Sequence, residues 1–150
     1  MEMSQKELSL LKDLKSQEEL CIKKYSNAAQ TAVDPQLCEL FSGIASAEKE
    51  HLAFIEKLQG GSLMQNEFTQ QPHKTFTASY GKEDSSDKSN DSFLCSDLLT
   101  AEKHASHLYD TCVFEFTDNT VRTRLGNIQM QEQAHGKMIY DYMSANNMYS

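Results

Sequence analysis

The sequence predicts an all-α fold: an antiparallel four-helix bundle made of two helical hairpins joined by a long crossover linker. Three observations predict it. Four stretches carry apolar residues at alternating steps of three and four, the spacing of one helix face. Two initiation signals, Asp34-Pro35 and Asp118, each come only a few residues after the preceding stretch, so each pair of helices must double back on itself. Between the pairs lies a polar run far longer than an ordinary connection, long enough to travel the length of a bundle.

Each element has its own signal. Ser4 and Glu7 form a candidate capping box, Ser-x-x-Glu, ahead of a helix over about 5–31. Its seam is Leu11, Leu14, Glu18, Cys21, Tyr25, Ala28 and Ala32. Asp34 as N-cap and Pro35 at the first helical position start a second helix, about 35–59, which Gly60-Gly61 stops. Its seam runs Leu37, Phe41, Ile44, Glu48, His51, Ile55, Leu58. The polar linker, about 60–91, has Phe68, Phe76 and Tyr80 as candidate anchors and otherwise the composition of a partly disordered segment. A third helix, about 92–117, carries Cys95, Leu98, Glu102, Ala105, Tyr109, Cys112 and Phe116 on one face. Asp118 caps a fourth, about 119–145, with the seam Val121, Leu125, Ile128, Glu132, His135, Ile139, Tyr142.

The hairpins repeat. Adding 84 takes Leu14 to Leu98, Glu18 to Glu102, Tyr25 to Tyr109 and Asp34 to Asp118, and it takes Ile44, Glu48, His51 and Ile55 to Ile128, Glu132, His135 and Ile139. Such an offset marks two copies of one helical unit packed face to face.

Composition bounds the chemistry. A formal charge of −8 argues against binding to nucleic acid or anionic membrane, since both need a basic face. The first residues, Met1-Glu2-Met3-Ser4, open no apolar run, so no signal peptide is expected, and no stretch reaches the roughly 20 apolar residues of a membrane span. Cys21, Cys38, Cys95 and Cys112 form no Cys-x-x-Cys pair, which disfavours zinc ribbons, rubredoxin-type iron and thioredoxin-type redox pairs. Reduced, packed thiols are expected.

The polar intrusions in the seams carry the functional reading. The first and third helices each contribute a lone Glu, the second and fourth each a Glu-x-x-His whose two side chains share a face. Burying these groups unpaired costs several kcal/mol per ion. Two divalent metal ions, iron ahead of manganese, balance four carboxylates and two neutral imidazoles, and the set matches the one known from di-iron and di-manganese bundles. The expected ligands are Glu18, Glu48, His51, Glu102, Glu132 and His135, with Glu48 and Glu132 bridging. Tyr25 and Tyr109, seven residues beyond each lone Glu, can reach a ligand carboxylate, or can simply fill the core. The alternative is a metal-free polar layer in which Glu–His and Glu–Tyr pairs satisfy one another.

The six-residue pattern resembles the ferritin-like di-iron carboxylate superfamily. Two stretches, KELSLLKDLKSQEELCIKKY at Lys6–Tyr25 and the Leu98–Met143 segment with AEKH, VFEF, EQAHG and YDYM, are similar to the spore coat protein F-like family. That resemblance implies synthesis in the cytoplasm of the mother cell, deposition on the spore coat and association with other coat proteins, a homo-oligomer being compatible with it. Rubrerythrins are similar in the bundle alone: one turn after the Glu of their third helix they usually add a carboxylate where this chain has Ala105, and they carry a rubredoxin domain with paired Cys-x-x-Cys. A structural coat component with a di-metal site is therefore the first expectation. A di-iron peroxidase or oxidase, or a manganese catalase, is the second, and an iron-storing mini-ferritin the third.

Overall fold

In the computed structural model, which describes residues 2–148, four helices pack as two hairpins and no strand occurs among the described residues. They are α1 (Gln5–Thr31), α2 (Pro35–Gln59), α3 (Ser86–Glu115) and α4 (Asn119–Ala145). Helix α1 packs along α2 and α3 along α4, and the hairpins meet mainly through α1 and α3.

The start signals act as read. Ser4 accepts from the Glu7 amide while the Glu7 carboxylate takes the Ser4 amide, a closed capping box. Asp34 caps α2 through the Gln36 amide, and Asp118 caps α4 through Val121. Gly61, at φ 85°, takes the left-handed turn that ends α2.

Helix α3 begins at Ser86, six residues before the predicted start at 92, with Ser85 as N-cap. Its extra turns carry inward-facing polar residues, which erase the apolar periodicity. Lys88 is buried and donates to the Gly81 and Lys82 carbonyls, and Asp91 is fully buried.

The remaining crossover, 60–85, is an extended strap that runs back along α2 and α4. Phe68 is buried against Phe54 and His51, and the Gln71 amide donates to the Gly43 carbonyl. Farther on, the Thr77 amide donates to Gln36, the Ser79 amide to Asn146, and the Tyr80 hydroxyl to Asp91. Phe76 meets Tyr142 edge-on at 5.5 Å between ring centroids. All three predicted anchors are in use, and several of the strap's polar groups are paired with the helices where composition alone suggested partial disorder.

The core divides into two apolar clusters. One, at the strap's far end, includes Tyr25, Phe41, Ile44, Leu98 and Tyr142; the other includes Leu14, Phe54, Ile55, Tyr109 and Leu125. Glu18 and Glu132 fall at the middle of their helices and Glu48 and Glu102 within two residues of it, so the polar layer lies between the clusters.

Candidate metal centre

Six side chains that the sequence singles out converge in this layer. Glu18, Glu48 and His51 are wholly buried, and Glu102, Glu132 and His135 nearly so. They form two sets of four, Glu18–Glu48–His51–Glu132 and Glu48–Glu102–Glu132–His135, and in each set the donor atoms lie within 4.8 Å of one another. Glu48 and Glu132 belong to both. His51 Nδ1 stands 3.2 Å from Glu48 Oε2 and 3.1 Å from Glu132 Oε1; His135 Nδ1 stands 3.2 Å from Glu48 Oε1 and 3.4 Å from Glu102 Oε1. The imidazoles are near-parallel, 6.3 Å apart.

Tyr25 and Tyr109 face the layer and cross between hairpins. Tyr25 donates to Glu102 Oε1 at 2.5 Å, and Tyr109 to Glu18 Oε1 at 2.6 Å. Burial and the adjacent carboxylates push both phenols well up, so they stay protonated and act as donors.

The carboxylates cannot all be ionised without a cation. Burial, then the charge of Glu48, holds Glu18 well above the usual range; burial, then Glu102 and Glu48, does the same to Glu132. Burial also works to raise Glu48, but the adjacent Glu18, His135 and His51 side chains overcome it and hold Glu48 well below the usual range. Burial opposes the charge on His135, yet Glu102 and Glu48 outweigh it and raise the imidazole to about 9.

Even so, Glu18 Oε2, Glu48 Oε1, Glu102 Oε2, both Glu132 oxygens and His135 Nδ1 are buried without a hydrogen-bond partner. The imidazole of His135 lies at ion-pair distance from Glu48 and Glu102 but is not aligned for a hydrogen bond. Buried polar atoms are ordinarily paired, and a divalent cation held by each donor set would satisfy these. The donor set, carboxylate oxygens with one imidazole nitrogen per set, suits iron or manganese.

Gln131 was not foreseen. Its Nε2 donates to the Thr69 carbonyl on the strap, which turns Oε1 toward His51 Nε2 at 2.5 Å. A backbone carbonyl can only accept, so the amide orientation is fixed and His51 must carry its proton on Nε2. Nδ1 then presents a lone pair, or a second proton, to Glu48 and Glu132. Gln131 follows no seam, and its repeat counterpart is Ala47, so neither periodicity nor the repeat marks it.

Cys21, Cys95 and Cys112 are buried thiols and Cys38 is half-buried, all free. Burial, then Glu48 and Glu18, pushes the Cys21 thiol up, which leaves it unreactive beside the layer. His73, His104 and His107 are exposed.

A family match covers α3 from residue 90 onward and all of α4. Residues 90–150 match the Coat F domain family. The Coat F segment contains Glu102, Tyr109, Glu132 and His135, and the first hairpin with Glu18, Tyr25, Glu48 and His51 lies outside it. No curated protein and no solved structure matches the chain. Among the described residues, no helix is long and apolar enough to cross a membrane.

Proposed function

We propose that this protein is a structural and protective component of the bacterial spore coat, a ferritin-like bundle that holds two divalent metal ions, iron ahead of manganese. The Coat F segment supports the location and association with other coat proteins. One observation carries the metal: two four-residue donor sets share Glu48 and Glu132 and contain six orphaned buried atoms. Glu48 and Glu132 are the bridging ligands in this reading, Glu18 and Glu102 the terminal carboxylates, and His51 and His135 the imidazole ligands.

When bound, such a metal pair supplies redox chemistry and Lewis acidity toward small oxygen-containing molecules. The chain's own part is to keep water out with two apolar clusters, to orient Glu18 and Glu102 through Tyr109 and Tyr25, and to fix the His51 tautomer through Gln131. An oxidoreductase acting on peroxide or oxygen is the second reading, and the cleft between α3 and α4 that reaches Glu102 and Glu132 favours it.

The test is to produce the protein with iron and with manganese, count metals per chain and measure peroxide consumption. Two metals without turnover support the structural reading. Rapid peroxide loss that disappears in His135→Ala supports the enzyme. A metal-free bundle whose stability chelator and added metal both leave unchanged overturns the metal centre.

A further inference from the structure

The two halves of the polar layer are closed to different degrees. Around His51 the layer is sealed: Glu18, Glu48 and His51 have no exposed surface, Phe68 stands edge-on to the imidazole at 5.3 Å, and Gln131 occupies Nε2. The Glu102 side lies directly beneath a surface cleft, with Glu102 2 % and Glu132 1 % exposed. A cleft of about 530 Å³ between α3 and α4 has Glu102 and Glu132 at its floor, and the orphaned Glu102 Oε2 and Glu132 oxygens belong to those floor residues.

The repeat explains the difference. Where the cleft wall has Gly136 and Ser106, the corresponding positions of the first hairpin hold Leu52 and Ile22. A Cβ at Gly136 would stand 3.6 Å from Leu99 Cδ1, so any side chain there begins to fill the cleft. The first hairpin carries bulk at both positions; the second carries none.

We propose that divalent cations enter the polar layer through this α3–α4 cleft, reaching the Glu102–His135 position before the sealed His51 position. This rests on the metal reading above. His107 and Asp110, three residues apart on α3, stand on the rim and share a face, and offer an imidazole and a carboxylate on the way to Glu102. Lys103 also lines the cleft, but two floor carboxylates and the overall charge of −8 keep the potential favourable to cations. A second cleft, between the strap and α4, also reaches His135. It carries Glu67 and His73 as well as Arg124 and Lys137, its Asp141 is paired with Lys137, and where it meets the polar layer it ends on an imidazole and the Gln131 amide rather than on carboxylates.

The experiment gives each wall the residue its repeat partner holds. Metal-free full-length protein is mixed rapidly with Co²⁺, and filling is followed by the cobalt absorption bands for wild type, Gly136→Leu, Ser106→Ile and the double variant. Gly126→Ala, on the same helix with open space around it, is the control. The expected result is about ten-fold slower filling in the double variant, with a smaller delay in each single one, unchanged final stoichiometry and an unaffected control. Ser106→Ile changes the opposite wall at a half-buried position, so it reads the route even if Gly136→Leu perturbs the neighbouring His135. Filling at the wild-type rate in folded variants that bind two Co²⁺ overturns the entry route alone. Failure of wild type to bind Co²⁺ overturns the metal reading and the route with it.

Discussion

Tyr109 on α3 donates its hydroxyl proton to Glu18 on α1 at 2.6 Å, joining residues 91 positions apart along the chain. Tyr25 returns the same contact to Glu102, so each lone glutamate is oriented by a tyrosine of the other hairpin. Tyr109→Phe removes a buried hydrogen bond to an acidic group, worth about 1.5–3 kcal/mol if the carboxylate is charged, and leaves Glu18 Oε1 unoriented. Metal affinity, measured by competition with a chelating dye, should fall roughly 10–100-fold. Unchanged affinity would mean that the hydroxyl only fills space.

The protonation pattern gives the metal-free form a specific pH dependence. Glu18 and Glu132 are raised above their unfolded values, so the stability they contribute is complete below about the ordinary carboxylate range and declines as pH rises toward their folded values. His135, raised from 6.5 to about 9, loses its contribution between those values in the same direction. Glu48 is depressed, and its contribution changes only below its unfolded value of 4.5. The metal-free protein should therefore melt at progressively lower temperature from pH 6 to 9. Metal binding should release protons and flatten that slope. A melting temperature that rises over this interval in the metal-free form contradicts the assignment.

Gln131→Leu should release the His51 tautomer. In wild type, ¹⁵N shifts of the metal-free protein should show His51 protonated on Nε2. In the variant, the ring should populate the other tautomer, and metal affinity should drop roughly 10–100-fold. Wild-type shifts in Gln131→Leu would show that the relay from Thr69 does not set the tautomer.

Phe68→Ala tests the strap. The ring packs against Phe54 and His51, and the Arg124 guanidinium lies over it at 4.6 Å. Truncating a buried Phe costs about 3–5 kcal/mol where the surroundings cannot collapse. Here, local release of the strap limits the loss of global stability. The expected outcome is rapid proteolysis within 60–80 while the helices stay protected from hydrogen exchange. Equal protection of strap and helices in the variant would show that other contacts suffice.

Much of this architecture is legible in the sequence because its cause is periodic. Glu18, Glu48, Glu102 and Glu132 interrupt apolar seams, and a polar residue in a seam is costly enough to need a reason. What escapes detection is polar and off the seam. Gln131 acts through a strap carbonyl that only the folded chain brings near. Lys88 and Asp91 extend α3 with buried polar groups, so the helix start looks like linker. The strap is composed like a flexible segment, but its amides find acceptors on α2 and α4, and composition does not record where a donor points.

The repeat also extends to the bends. Glu7 accepts the Thr117 amide at the α3–α4 link, and Asp91 accepts the Val33 and Asp34 amides at the α1–α2 link. Glu7 and Asp91 are 84 positions apart, as are Val33 and Thr117. Each hairpin thus finishes the other's turn. A lone hairpin would lose the acceptors at its tightest point, and separating the two hairpins breaks both of these reciprocal clasps at once.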